Sequence, residues 1–207
     1  VQIFAILLFL SIMGTNGYLM QTVIEEKETR LIEILLSSVR PVQLLVGKIL
    51  ALGTLGLFQM VVYVTAIQLA ITLSSDGNSF LTGLDISFGM WVAAFVYFVL
   101  GYLLFAAAFG AVGAISTSIS EGPSISVIFV LPALLPWMFA GVIAENPDGA
   151  FAVIMSLVPI TAPLGMLMRL SVSDVPVFQV ALSIVLLAVT IVGMMWFAGR
   201  LFRVQIL

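Results

Sequence analysis

Five stretches of the chain, at residues 1–24, 41–73, 88–115, 124–144 and 175–198, each run beyond 20 residues, and Lys48 is the one charged side chain among them. The hydrocarbon core of a bilayer is crossed by roughly 20 apolar residues in helical form. No water is available at that depth, so the backbone must satisfy its own polar groups, which a helix does within a single segment. The stretches therefore predict an all-α integral membrane protein with five transmembrane helices. Those at 41–73 and 88–115 are longer than a crossing requires, which implies tilt or extension beyond the lipid.

Composition leads to the same place. Hydrophobic residues make up 62% of the chain and charged ones 8%, against roughly 45–50% and about 25% in soluble domains. Seven basic and ten acidic side chains cannot clothe a water-facing surface on 207 residues. A net charge of −3 without a basic tract excludes nucleic acid as a partner. Cysteine and histidine are absent, which excludes disulfides, thiolate metal sites, zinc-protease helices and Ser-His-Asp triads. Val1 opens directly inside an apolar run. The chain thus reads as a fragment lacking its natural N-terminus, and 1–24 as a span rather than a signal peptide.

A sixth apolar region, 150–170, is interrupted by Pro159 and Pro163. Proline removes a backbone donor and clashes with the preceding turn, so one continuous span is disfavoured. Two half-helices of about eight residues each, entering the membrane and returning, fit better wherever protein or water can satisfy the freed groups.

Basic residues set the orientation. Lys27, Arg30, Arg40 and Lys48 surround the first connection, and Arg200 and Arg203 follow the last span. The connections 74–87 and 145–174 hold Arg169 against Asp76, Asp85, Glu145, Asp148 and Asp174. Five alternating spans put both basic clusters, and with them the C-terminus, in the cytosol. Ala106, Gly110 and Ala114, and likewise Gly47 and Ala51, follow the small-xxx-small spacing of closely packed membrane helices.

The segment 25–40 carries seven of the charged side chains of the whole chain. It is rich in Glu, Lys, Arg and Leu and lacks glycine, a composition that favours helix. Glu26 is four residues from Arg30 and Arg30 three from Glu33, so ion pairs can line one side. Leu31, Leu35 and Ile32, Leu36 form an apolar stripe, and Pro41 suits the first turn of the next helix. An amphipathic helix on the cytoplasmic surface follows. It admits two uses: an elbow lying on headgroups, or a docking surface for a cytoplasmic protein. Membrane adhesion alone favours a mainly basic polar face, and here four acidic residues accompany three basic ones.

The run 25–48, EEKETRLIEILLSSVRPVQLLVGK, resembles the signature of type-2 ABC transporter permeases. Glu28, Arg30, Glu33, Leu35, Leu36, Ser38, Pro41, Gly47 and Lys48 match its positions. Pro159 to Pro163, followed by Met166 to Arg169, is similar to that family's proline-broken external half-helices. The resemblance covers nearly the whole chain and implies one transmembrane permease domain, 1–207, with six spans in the full-length protein and five here. A subgroup with sodium-efflux and multidrug permeases fits best.

The resemblance implies further an exporter in a bacterial or archaeal cell membrane, surrounded by lipid and built from two permeases, identical or different. ATP and magnesium would bind a separate ABC ATPase subunit; this chain has no glycine-rich phosphate loop and no catalytic residue of its own. The coupling surface would be Glu25, Glu28, Thr29, Arg30, Glu33, Leu36, Ser37 and Ser38. Gly14, Gly17, Gly53 and Gly56 would form the seam between permeases, and Pro159, Pro163 and Arg169 the external gate. Arg169 there either contacts substrate or extends outward to the interface.

Three other readings each require a chemistry of their own. Glu25-Glu26 with Arg30 resembles an element of CAAX-type intramembrane proteases, which need histidines that this chain lacks. Pro132-Ala133-Leu134 resembles one of aspartyl intramembrane proteases, which need two carboxylates inside the bundle; the spans hold none. An ATP-independent channel or secondary carrier is the remaining alternative, and it usually places ionisable groups at membrane depth. Lys48 is the sole candidate, at a helix end where a long side chain can snorkel. The in-span polar residues Asn16, Gln59, Thr65 and Gln68 suit interhelical hydrogen bonds as well as substrate contacts.

Overall fold

A computed structural model describes residues 2–28, 41–73 and 88–206. The described residues contain no strand. Among the described residues eight helices follow one another: α1 (Gln2–Glu28), α2 (Pro41–Leu73), α3 (Phe88–Ile115), α4 (Glu121–Met138), α5 (Ala140–Glu145), α6 (Ala150–Leu157), α7 (Ala162–Leu170) and α8 (Val177–Ile206). Five are long and apolar enough to cross a bilayer, with spanning windows at Ala5–Lys27, Val46–Tyr63, Gly89–Ile115, Glu121–Met138 and Val177–Leu201.

Helix α3 is the axis of the bundle. It carries no charge along its length, and both α1 and α8 pack extensively against it. Tyr97, Phe98, Phe105 and Ala114 are buried, and Phe105 meets Phe9 of α1 edge-on at 6.4 Å. In lipid the hydrophobic effect does not hold such helices together, so close van der Waals packing must. Glycines mark the closest approaches. A Cβ on Gly113 would stand 3.1 Å from the Met20 carbonyl and from Val23, and one on Gly101 would stand 3.0 Å from Pro163. By contrast α2, α4 and α8 are peripheral: Leu50, Phe58, Ile128 and Val192 are exposed on their outer faces, as a lipid-facing surface requires.

Helix bounds differ from the apolar runs at three places. Residues 25–28, expected within the amphipathic surface helix, are instead the last turn of α1. The rest of that helix, 29–40, lies outside the described residues. The run 124–144 begins earlier, at Glu121, and breaks at Phe139 into α4 and α5. Pro132 and Pro136 inside α4 each lack a backbone donor, and helical geometry is lost three residues after the second. The last run continues as helix as far as Ile206.

Between α5 and α8 the chain forms two short helices, α6 and α7, joined by a turn containing Pro159. They are pressed together where a Cβ on Gly165 would stand 2.7 Å from the Met155 carbonyl, a contact with rigid backbone that only glycine accommodates. The turn end of this hairpin reaches the middle of α3, since Pro163 lies against Gly101.

Candidate functional site

At one end of the bundle, the last turns of α1 bind two other helices at once. The Lys48 ammonium of α2 pairs with the Glu26 carboxylate at 2.6 Å and donates to the Thr22 carbonyl at 3.3 Å. Thr22 and Glu26 are four residues apart and therefore lie on one side of α1. Lys27, the next residue, turns toward α3. Its Nζ donates to the Ala114 carbonyl at 2.5 Å and to the Ser116 carbonyl at 3.1 Å. The last carbonyls of a helix have no partner within it and carry the negative end of its dipole. An ammonium placed there satisfies both conditions. Ser116 closes the same end by donating its hydroxyl to Val112 at 2.8 Å.

The loop beyond α3 completes this collar. Glu121 accepts from the Thr117 amide at 2.9 Å and from the Thr117 hydroxyl at 2.7 Å. Gly122 brings α4 against Ile24 and Met20 of α1. The segment 29–40 leaves α1 and enters α2 at this same end, between Glu28 and Pro41. Of the expected coupling residues, Glu25 is exposed near the end of α1 and Glu28 is its last residue. Thr29, Arg30, Glu33, Leu36, Ser37 and Ser38 lie outside the described residues. So does Arg30 as the partner that spacing suggested for Glu26; the pairing observed is with Lys48.

At the opposite end, Arg169 is fully buried and does not extend outward. Its Nε donates to the Pro147 carbonyl at 2.7 Å, Nη1 to the Ser156 hydroxyl at 2.7 Å and Nη2 to Asp148 at 3.3 Å. One guanidinium thus ties α7 to α6 and to the turn before it. Ser183 of α8 donates to the Ser156 carbonyl at 2.8 Å, and Thr161 donates to the Met155 carbonyl across the hairpin at 2.7 Å. Pro163 belongs to the same unit and packs on α3. A buried cation without hydrogen bonds is prohibitively costly; this one is satisfied by acceptors from two segments, the turn at Pro147 and Asp148 and helix α6.

The four glycines expected at a seam divide. A Cβ on Gly14 or Gly17 of α1 would meet nothing within 4 Å. Gly53 and Gly56 of α2 are instead used within the chain: a Cβ would stand 2.9 Å from the Tyr102 ring and 3.2 Å from Phe98, respectively. Polar residues at membrane depth bond both between helices and within them. Ser11 donates to Gln59 at 3.2 Å, Gln59 to the Tyr63 hydroxyl at 2.6 Å, and Tyr102 to the Ile49 carbonyl at 2.7 Å. Asn16 donates to the Ile12 carbonyl at 2.8 Å. Among the described residues no three acidic side chains gather where they could hold a metal ion.

Residues 1–200 match the family model described as ABC-2 family transporter protein. The chain belongs to the ABC-2 transporter family. This ABC-2 chain is 29% identical to the uncharacterized protein MJ1024 of Methanocaldococcus jannaschii over 205 residues, 99% of this chain and 49% of that one. It is 27% identical to the uncharacterized protein YhaP of Bacillus subtilis over 209 residues, 98% of this chain and 50% of that one. The chain therefore spans about half the length of these curated relatives. No solved structure matches it significantly. Family membership and five apolar helices make it a multi-pass membrane component of a transporter.

Proposed function

We propose that this ABC-2 chain is the path-forming part of a permease in an ATP-driven exporter. Energy comes from a separate ABC ATPase, which holds ATP and magnesium, and reaches the permease through the segment 25–40. Two permeases, of one kind or two, enclose the path, with Gly14 and Gly17 on the open face of α1 at their seam. The bundle stands in a bacterial or archaeal cell membrane with the Lys27 end and the C-terminus in the cytosol, and six spans complete the full-length protein.

The observation that carries this reading is the convergence of α1, α2 and α3 at the two ends of the segment 29–40. Lys48 and Lys27 bind α2 and α3 to the last turns of α1 there. A protein that seizes the segment therefore holds three spans at once. Rigid-body tilting of such a group is an established way to switch a path between its two openings. At the far end, the α6–α7 hairpin dips into the membrane and closes the outer mouth around Pro159 and Pro163, with Arg169 as its internal brace.

Charge reversal at Glu28, Arg30 or Glu33 in the tagged full-length permease tests the docking assignment. Retention of the ATPase through detergent purification should fall at least tenfold, while membrane insertion remains as in the unaltered protein. Unchanged retention, with unchanged ATP hydrolysis, removes the segment from the docking surface.

A further inference from the structure

Two lysines reach away from or toward the last turns of α1, and they act on different helices. Lys48 binds α2 to Thr22 and Glu26, whereas Lys27 reaches across to the end of α3. Nearer the middle of the two helices Asn16 donates to the Tyr102 carbonyl at 3.4 Å, whereas toward their inner ends Met20 and Val23 meet Gly113 in van der Waals contact. Such contacts are non-directional and let packed helices slide. The two hydrogen bonds from Lys27 are directional and charge-assisted, and they grip carbonyls with no helical partner. Helix α3 in turn carries the outer hairpin, because Pro163 rests on Gly101, and α8, through Tyr97 and the Val180 carbonyl at 3.4 Å.

We propose that Lys27, by capping the carboxyl end of α3, makes α3 follow α1 when the segment 29–40 is displaced, so that the stroke of the ATPase reaches the central helix and the hairpin seated on it. This rests on the exporter reading above and adds to it a positioning residue that touches neither nucleotide nor substrate. Among the described residues, α2 meets α3 at Gly53 beneath Tyr102, at Gly56 against Phe98 and through the bond from Tyr102 to the Ile49 carbonyl, all away from the carboxyl end of α3. The path of force thus runs through α1. Coupling between distant sites needs an element whose two arrangements both sites bias, and the α1–α3 block is that element here.

The experiment uses the full-length permease with its ATPase in nanodiscs, any cysteine elsewhere in the protein having been replaced. Nitroxides at Tyr18→Cys and Ile115→Cys, both exposed positions, report the α1–α3 separation without nucleotide and after trapping with ATP and vanadate. Unaltered protein and Lys27→Arg, which keeps donors at the cap, should give the same distance in both states. Lys27→Met, which keeps the stem and loses the donors, should hold the ATPase normally yet shift the distance on trapping. No shift in Lys27→Met, a shift in the unaltered protein, or equal behaviour of the Arg and Met variants overturns the proposal. So does loss of the ATPase from Lys27→Met, because the cap would then serve docking rather than transmission. Failure of the unaltered permease to hold any ATPase would be seen before labelling, and would remove the exporter reading itself.

Discussion

Arg169 donates from Nη1 to the Ser156 hydroxyl at 2.7 Å, and Ser156 offers its own carbonyl to Ser183 at 2.8 Å. Through that one serine the guanidinium on α7 is joined to both α6 and α8. The guanidinium itself is fully buried, with its donors engaged by the hairpin and the turn before it.

Truncation of the brace should therefore be costly. Arg169→Ala removes three donated hydrogen bonds and empties a fully buried position, a loss of about 3 kcal/mol. Ser156→Ala should cost about 1–2 kcal/mol, and the double variant less than the sum, since both remove one bond. Thermal unfolding of the purified protein in detergent checks all three. Asp148 is 71% exposed, so Asp148→Asn should cost no more than about 1 kcal/mol. An Asp148 effect as large as that of Arg169 would mean that the ion pair, not the neutral acceptors, holds the hairpin.

Glycines should sort by what surrounds them. Gly165→Ala forces a methyl against the Met155 backbone and should destabilise the protein by about 1–3 kcal/mol. Gly14→Ala meets nothing and should be neutral or stabilising by up to about 1 kcal/mol, because alanine favours helix. Melting temperatures of the two variants, measured side by side, decide this.

If Gly14 and Gly17 lie at the seam between permeases, a large side chain there should disturb association and leave the fold intact. Gly14→Leu and Gly17→Leu should shift the complex toward single permeases in mass photometry with unchanged melting temperature. Gly53→Leu should instead lower the melting temperature, since Tyr102 already fills that space. Equal effects of all three on association would return Gly53 to the seam.

The collar offers a direct geometric test, because these residues include no cysteine. Glu26→Cys paired with Lys48→Cys should cross-link within the chain under mild oxidation or with a short bifunctional reagent. Neither single-cysteine variant should do so. Absence of the first cross-link would separate α2 from the end of α1.

How much of this was legible beforehand follows from the range of each interaction. The spans were readable because the need for roughly 20 apolar residues acts locally. Pro159 and Pro163 likewise announced a broken helix, and α6 and α7 flank that break. Pro132 and Pro136 carry the same signal for the break at Phe139, but the apolar run continues through them and hides it. The last turn of α1 was assigned to the surface segment because Glu25 to Glu28 favour helix on either side of the boundary, with no glycine or proline to mark it. The pairs that build the collar and the brace were not readable. Lys27 meets a carbonyl 87 positions away, and Arg169 meets Pro147 across a turn whose path no local rule specifies. The residues 29–40, on which the family resemblance leans most, lie outside the described residues. Their role therefore rests on sequence and family.

The most direct measurement is to purify the full-length permease from its native membrane, identify what accompanies it by mass spectrometry, and assay ATP hydrolysis. The account predicts an ABC ATPase at fixed stoichiometry, with hydrolysis that rises when the complex is reconstituted into liposomes. A permease that purifies alone and conducts or transports in ATP-free liposomes would contradict it and establish a channel or secondary carrier instead.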